Sequence, residues 1–126
     1  MVAAELGHGK RNRVLSDYTF AVRNEETGEL LPIGKAYSGL TDAEIAELTE
    51  HFKANTVVDA GRYREVKPDV ILEIAFDSIQ PSNRHASGLA LRFPRIKAIR
   101  RDKTVENIDT LKYARELAAN AGFEVR

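Results

Sequence analysis

The sequence contains no cysteine, which excludes disulfide frameworks, thiolate zinc sites and cysteine nucleophiles. It has no apolar run near the roughly 18 residues that a membrane span needs. No signal-peptide apolar core opens it, so the expectation is a cytoplasmic protein with no membrane partner. Its three histidines, His8, His51 and His85, stand far apart and form no metal motif. Ser38, Ser78 and Ser87 lack a local histidine–acid arrangement, which argues against serine-hydrolase chemistry. Net charge is also missing, because 19 basic and 19 acidic residues cancel. What remains is ordinary: 126 residues, 43% hydrophobic and 30% charged, fit one soluble domain with its own core.

The charges cancel in sum but not in place. Seven basic residues (Arg84, Arg92, Arg95, Lys97, Arg100, Arg101 and Lys103) crowd between 84 and 103 with a single acid, Asp102. Asp42, Glu44, Glu47 and Glu50 form an acidic run without a base. Lys10, Arg11 and Arg13 follow Gly7 and Gly9 in a basic loop, where glycine lets the backbone approach a phosphate chain. Segregation of this kind suits a polyanion contact despite the zero total.

Hydrophobic spacing predicts the elements. A strand begins at residue 2 with no lead-in, as expected of a chain that starts inside a longer protein. Tyr18, Phe20 and Val22 alternate on one face of a second strand. A polar turn at 24–29 leads into a return strand over 30–37, with Gly34 marking a bulge. Thr41 and Glu44 make a capping box, and Ile45, Leu48 and Phe52 follow at helical spacing, so a helix spans 42–54. Residues 70–76 read as one strong strand and 80–83 as a loop. Leu89, Leu91 and Phe93 share a face of the next strand. Pro94 and the phase shift to Ile96 and Ala98 require an edge or a bulge there. Ile108, Leu111, Ala114 and Ala118 give a tail helix over about 105–121, closed by Gly122. Three strands, a helix, two strands and a helix is the order of a five-stranded OB-fold, a Greek-key barrel with an inserted and a C-terminal helix.

The segment Leu91-Arg92-Phe93-Pro94-Arg95, continuing to Arg100-Arg101-Asp102-Lys103, resembles motif VI of the ATP-dependent DNA ligases, with its R-F-P-R and R-x-D-K elements. The stretches 33–42, 73–80 and 87–90 look like further blocks of the same family. Residues 7–11 and 16–20 resemble its bacterial stand-alone members. The lysine nucleophile motif of these ligases, K-x-D-G, is absent: Lys67-Pro68-Asp69-Val70 lacks the glycine. The resemblance therefore implies that residues 1–126 are the C-terminal OB-fold domain alone. The upstream adenylation domain would be a partner in the same protein, and this chain by itself would not seal nicks.

The resemblance also implies site residues. Arg100, Asp102 and Lys103 would act on the β and γ phosphates of ATP, where departing pyrophosphate gains charge that cations stabilise. Arginine's planar fork suits such a group, and Asp102 would orient a basic neighbour or help a magnesium-bound water. Arg92 and Arg95 are candidate contacts to phosphates of ATP or DNA. Lys10, Arg11, Arg13, Lys35 and Arg84 are candidate contacts to nicked duplex DNA. ATP and Mg²⁺ would serve the full ligase and the site would contain no resident metal. The parent would be a monomer associated with the nucleoid. Glu73 and Asp77 stand too far apart along a strand for acid–base work and read as structural. Three rivals remain at this level: a free-standing OB module that stacks single strands on aromatics, the OB domain of an RNA ligase or capping enzyme, and a structural domain with an incidental basic strand.

Overall fold

The structure, a computed structural model, describes residues 1–6, 14–61 and 63–120. The loop holding Lys10, Arg11 and Arg13 and the closing Gly122 lie outside these residues.

Strands β1 (Ala3–Leu6), β2 (Leu15–Arg23) and β3 (Leu30–Ala36) run antiparallel and lead into helix α1 (Asp42–Ala54). The alternation in β2 has the expected consequence: Tyr18, Phe20 and Val22 all face the core. The pairing of β2 with β3 slips between Phe20 and Ala21, which places a bulge beside Gly34. There the Phe20 ring lies against the glycine, and a Cβ would stand 2.9 Å from its Cζ. Helix α1 begins as its capping box predicts. Thr41 Oγ1 accepts the Glu44 N–H at 3.2 Å, and Glu44 Oε1 accepts the Thr41 N–H at 3.0 Å.

A hairpin that hydrophobic spacing does not reveal follows the helix: β4 (Thr56–Asp59) and β5 (Tyr63–Val66). It extends the first sheet to the order β3-β2-β1-β5-β4. The fourth and fifth barrel strands each arrive in two pieces. Strand β6 (Leu72–Ala75) pairs with β9 (Arg95–Ile99), and β7 (Ser78–Pro81) pairs with β8 (Leu89–Arg92). Gln80 and Pro81, expected in a loop, therefore belong to a strand. The tail helix is shorter than expected. Val105–Asn107 forms one 3-10 turn and α2 spans Leu111–Asn120. Between them the chain turns aside, with Asp109 O accepting the Arg23 N–H at 3.1 Å and Thr110 bridging Arg23.

One hydrophobic cluster joins these parts. Tyr18, Phe20, Ile33, Leu48 and Phe52 meet Ile79, Leu89 and Ile96 from the short sheets and Leu111, Ala114 and Ala118 from α2. Ser87 fastens the loop before β8 to β3 by donating to Pro32 O at 2.7 Å. Arg100 N donates to Ile71 O at 2.7 Å, so the pairing of β6 with β9 runs on to the start of the basic turn 100–103. No helix among the described residues is long and apolar enough to cross a membrane.

Candidate phosphate and nucleic-acid site

The basic segment occupies two places on the barrel: the corner between β8 and β9, and the turn that follows β9. At the corner the chain breaks between Arg92 and Arg95. Phe93 adopts a φ of 53°, in the left-handed region, which is uncommon for a bulky residue and costs energy. This break, at the proline as expected, overturns the expectation that Phe93 continues the inward face of β8: its ring is 65% exposed. The Arg92 guanidinium sits 5.3 Å from the centre of that ring. Opposite, the chain also breaks between β6 and β7, and Asp77 N donates to Arg92 O at 3.0 Å. Arg95 braces the corner, donating from Nη1 to Asp77 Oδ1 and to Phe93 O, both at 3.1 Å.

In the turn, Arg100 is held by two carboxylates. Nε and Nη2 donate to the two oxygens of Asp102 at 3.1 and 3.0 Å, and Nη1 lies 3.5 Å from Glu73 Oε1 on β6. A guanidinium has five N–H donors, so about two remain for another anion. The hydrogen bonds from Arg100 hold the Asp102 carboxyl below the usual aspartate range. Asp102 in turn favours the charged form of Arg100. Lys103 makes no ion pair among the described residues and lies exposed at the end of the turn. Arg101 points away from Arg100 and donates to Glu47 Oε2 on α1 at 2.6 Å.

Two hollows adjoin the turn. One, of about 420 Å³, is lined by apolar side chains such as Phe20, Phe76 and Leu91 together with Glu73, Arg100 and Lys103. The other, of about 280 Å³, lies between α1, residues 69–71 and the turn, with charged and apolar side chains both in its lining.

The structure thus brings Arg100, Asp102 and Lys103 into one turn and places Arg92 and Arg95 together at a separate corner. Lys35 is on the β1-β2-β3 face, where its Nζ donates to Glu5 Oε2 at 2.9 Å. Arg84 is exposed in the loop between β7 and β8 and makes no ion pair among the described residues. Burial lowers the pKa of its neighbour His85, and the charge of Arg84 lowers it further. Glu73 and Asp77 do not meet as an acid–base pair; each holds one of the candidate arginines. Glu47 and Arg101 were not singled out by spacing, because their meeting across 54 positions is a tertiary event.

The described residues offer no set that suits a magnesium ion. Both oxygens of Asp102 are engaged by Arg100. Among the described residues no group of three or more His, Asp or Glu is placed to hold a metal.

The chain is similar to known proteins over most of its length. The family described as "ATP dependent DNA ligase C terminal region" matches residues 11–103. A probable DNA ligase of Opitutus terrae is 63% identical over 123 residues, covering 97% of this chain and 12% of its own length. A probable DNA ligase of Koribacter versatilis is 62% identical over 117 residues, covering 93% of this chain and 20% of its own length. A DNA ligase of the archaeon Methanococcoides burtonii is 46% identical over 111 residues, covering 88% and 20%. The chain therefore spans 12% to 20% of these three relatives. Among solved structures, the ligase domain of LigD from M. tuberculosis shares the fold with a TM-score of 0.70 at 18% identity. It covers 86% of this chain and 36% of that one.

Proposed function

The chain belongs to the family of C-terminal regions of ATP-dependent DNA ligases, and from that membership we propose that its basic turn serves the ATP step of nick sealing. The turn approaches the active site of the adenylation domain and meets the pyrophosphate of ATP. Arg100 offers the two N–H donors that Asp102 and Glu73 leave free, and Lys103 adds a mobile point charge. Both act on charge that grows as pyrophosphate departs. Asp102 orients Arg100 and does not touch phosphate, which it would repel.

The observation that carries this reading is the grip of two carboxylates on Arg100 beside Lys103, which makes no ion pair among the described residues, inside the segment that matches the family. A solvated strand end kept soluble by charge has no need of such a grip. The remaining basic residues, Lys10, Arg11, Arg13, Lys35, Arg84, Arg92 and Arg95, contribute to a surface for nicked duplex DNA. The lysine nucleophile and the adenosine pocket belong to the upstream domain, as does any group that holds Mg²⁺. Residues 1–126 act as one OB-fold domain of a monomeric, cytoplasmic, nucleoid-associated ligase and do not seal nicks alone.

Paired single-turnover rates in the full ligase test this. Arg100→Ala and Lys103→Ala should each slow self-adenylation by about 10²–10³, the loss typical of a group acting on transition-state charge. Sealing of a nick that already carries AMP involves no departing pyrophosphate and should lose far less. Equal losses in both steps would reassign these residues to folding or DNA grip.

A further inference from the structure

The acidic run on α1 has no part in the phosphate site, yet it reaches the turn that forms it. Arg101 donates to Glu47 at 2.6 Å, while Arg100, next in the chain, is drawn the other way toward Glu73 on β6. The turn is thus gripped from a helix on one side and a strand on the other. The hydrogen bond from Arg101 holds the Glu47 carboxyl below its ordinary range. Glu47, and then Glu44 one turn earlier, stabilise the charged form of Arg101. Glu47, Arg100, Arg101 and Lys103 line the same hollow of about 280 Å³, so the pair and the phosphate-handling cations share one cavity.

We propose that Glu47 and Arg101 are a positioning pair for the adenylation step. By tying the turn to α1 they hold Arg100 and Lys103 where pyrophosphate is met. This rests on the function proposed above and adds two residues to it. Neither partner touches substrate, and Glu47 would repel it. Both side chains are more than half exposed, at 51% and 64%, so the pair biases the turn and does not lock it. A modest bias suffices, because reaction rates respond steeply to small displacements of charged groups.

The test uses the full ligase. Glu47→Gln keeps the shape of the side chain and removes its charge. Self-adenylation at saturating ATP should fall about fivefold, the upper end for an exposed ion pair. KM for ATP should stay level or drop, since a carboxylate has been removed from beside the phosphate-binding cations. The gap between wild type and variant should narrow as salt screens the pair. Exchanging the charges, Glu47→Arg with Arg101→Glu, should return the rate to within about twofold. An unchanged rate in Glu47→Gln, a rate loss matched by a fall in melting temperature, or an exchange no better than Glu47→Gln would overturn the proposal. Arg100→Ala and Lys103→Ala run alongside as references. If these also leave adenylation intact, the phosphate reading itself fails. If they lose it while Glu47→Gln does not, the positioning pair alone fails.

Discussion

Thr49 on α1 accepts the backbone N–H of Leu15, the first residue of β2, at 3.0 Å, while its own hydroxyl donates to Ile45 O at 2.7 Å. All three groups are buried. One side chain thus satisfies a strand donor and couples the helix that carries Glu47 to the barrel. Thr49→Val preserves the shape and removes the acceptor, so the Leu15 N–H is left buried without a partner. The expected loss is about 1–3 kcal/mol, read as a lower urea midpoint. Thr49→Ser retains the acceptor and should lose about 1 kcal/mol, the value of one buried methyl group.

Gly39 is required by its surroundings as well as by its backbone. Its φ is 109°, and a Cβ there would stand 1.8 Å from Ile96 O. Ile96 is fixed on both sides, pairing with Ile74 and donating its N–H to Ser38 O at 2.9 Å. Gly39→Ala should therefore destabilise by about 3 kcal/mol or more, combining strain with a backbone clash. Gly61 provides the control: its φ is 85°, but a Cβ there would meet open space. Gly61→Ala should lose only about 1–2 kcal/mol, the left-handed penalty alone. Thermal melts of both variants check the contrast, and equal losses would remove the clash from the explanation.

Local chemistry was legible in the sequence where it acts locally. The capping box at Thr41 and Glu44 and the spacing of Ile45, Leu48 and Phe52 define α1, because those contacts form within a few residues. The break at Pro94 was legible from the missing donor and the shifted apolar phase. Its partner, the break at Phe76 and Asp77, was not, because it follows the geometry of the opposing strand. The hairpin of β4 and β5 escaped notice because Val57 and Val58 are both exposed, so no alternation marks it. The tail helix begins later than its spacing implies, because Thr110 caps α2 and the chain turns aside to bond Arg23 after the 3-10 turn. The candidate site divides in the same way. Asp102 on Arg100 spans two positions and could be anticipated, whereas Glu73 and Glu47 arrive only through folding.

The pair of Arg100 and Asp102 has a signature in acid. The hydrogen bonds from Arg100 are the main cause of the lowered Asp102 pKa. A carboxyl depressed in the folded state contributes its interaction above the unfolded pKa and loses it as pH falls through the folded value. Asp102 should therefore keep its hold on Arg100 throughout the neutral range and release it only below the ordinary aspartate range. Carboxyl NMR titration of the chain should place Asp102 below the exposed aspartates, and Arg100→Gln should move it back up among them. No movement in Arg100→Gln would mean that the two side chains do not meet in solution.

Binding to duplex DNA should separate the cations that are free from those already neutralised. The expected affinity is weak and without sequence preference, and if about three or four phosphates are contacted, its logarithm should fall with the logarithm of salt at a slope near −3. Arg92 and Arg84 are exposed and make no ion pair among the described residues. Each of Arg92→Ala and Arg84→Ala should reduce the slope by about 1 if its cation meets a phosphate. Lys35 differs, because Glu5 lies 2.9 Å from its ammonium. Lys35→Met alone would weaken binding for two reasons, a lost cation and a bared carboxylate. The double change Lys35→Met with Glu5→Gln removes both charges at once and should bind nearly as wild type if the pair is closed when DNA is absent and present alike. A double variant as weak as the single one would show that Lys35 leaves Glu5 to meet phosphate and is a full contact on the DNA surface. Fluorescence anisotropy over a salt series, with single-stranded DNA of the same length as comparison, gives all of these slopes. A preference for the single strand would favour stacking on Phe93 and Tyr37, residues 65% and 69% exposed, over phosphate contacts.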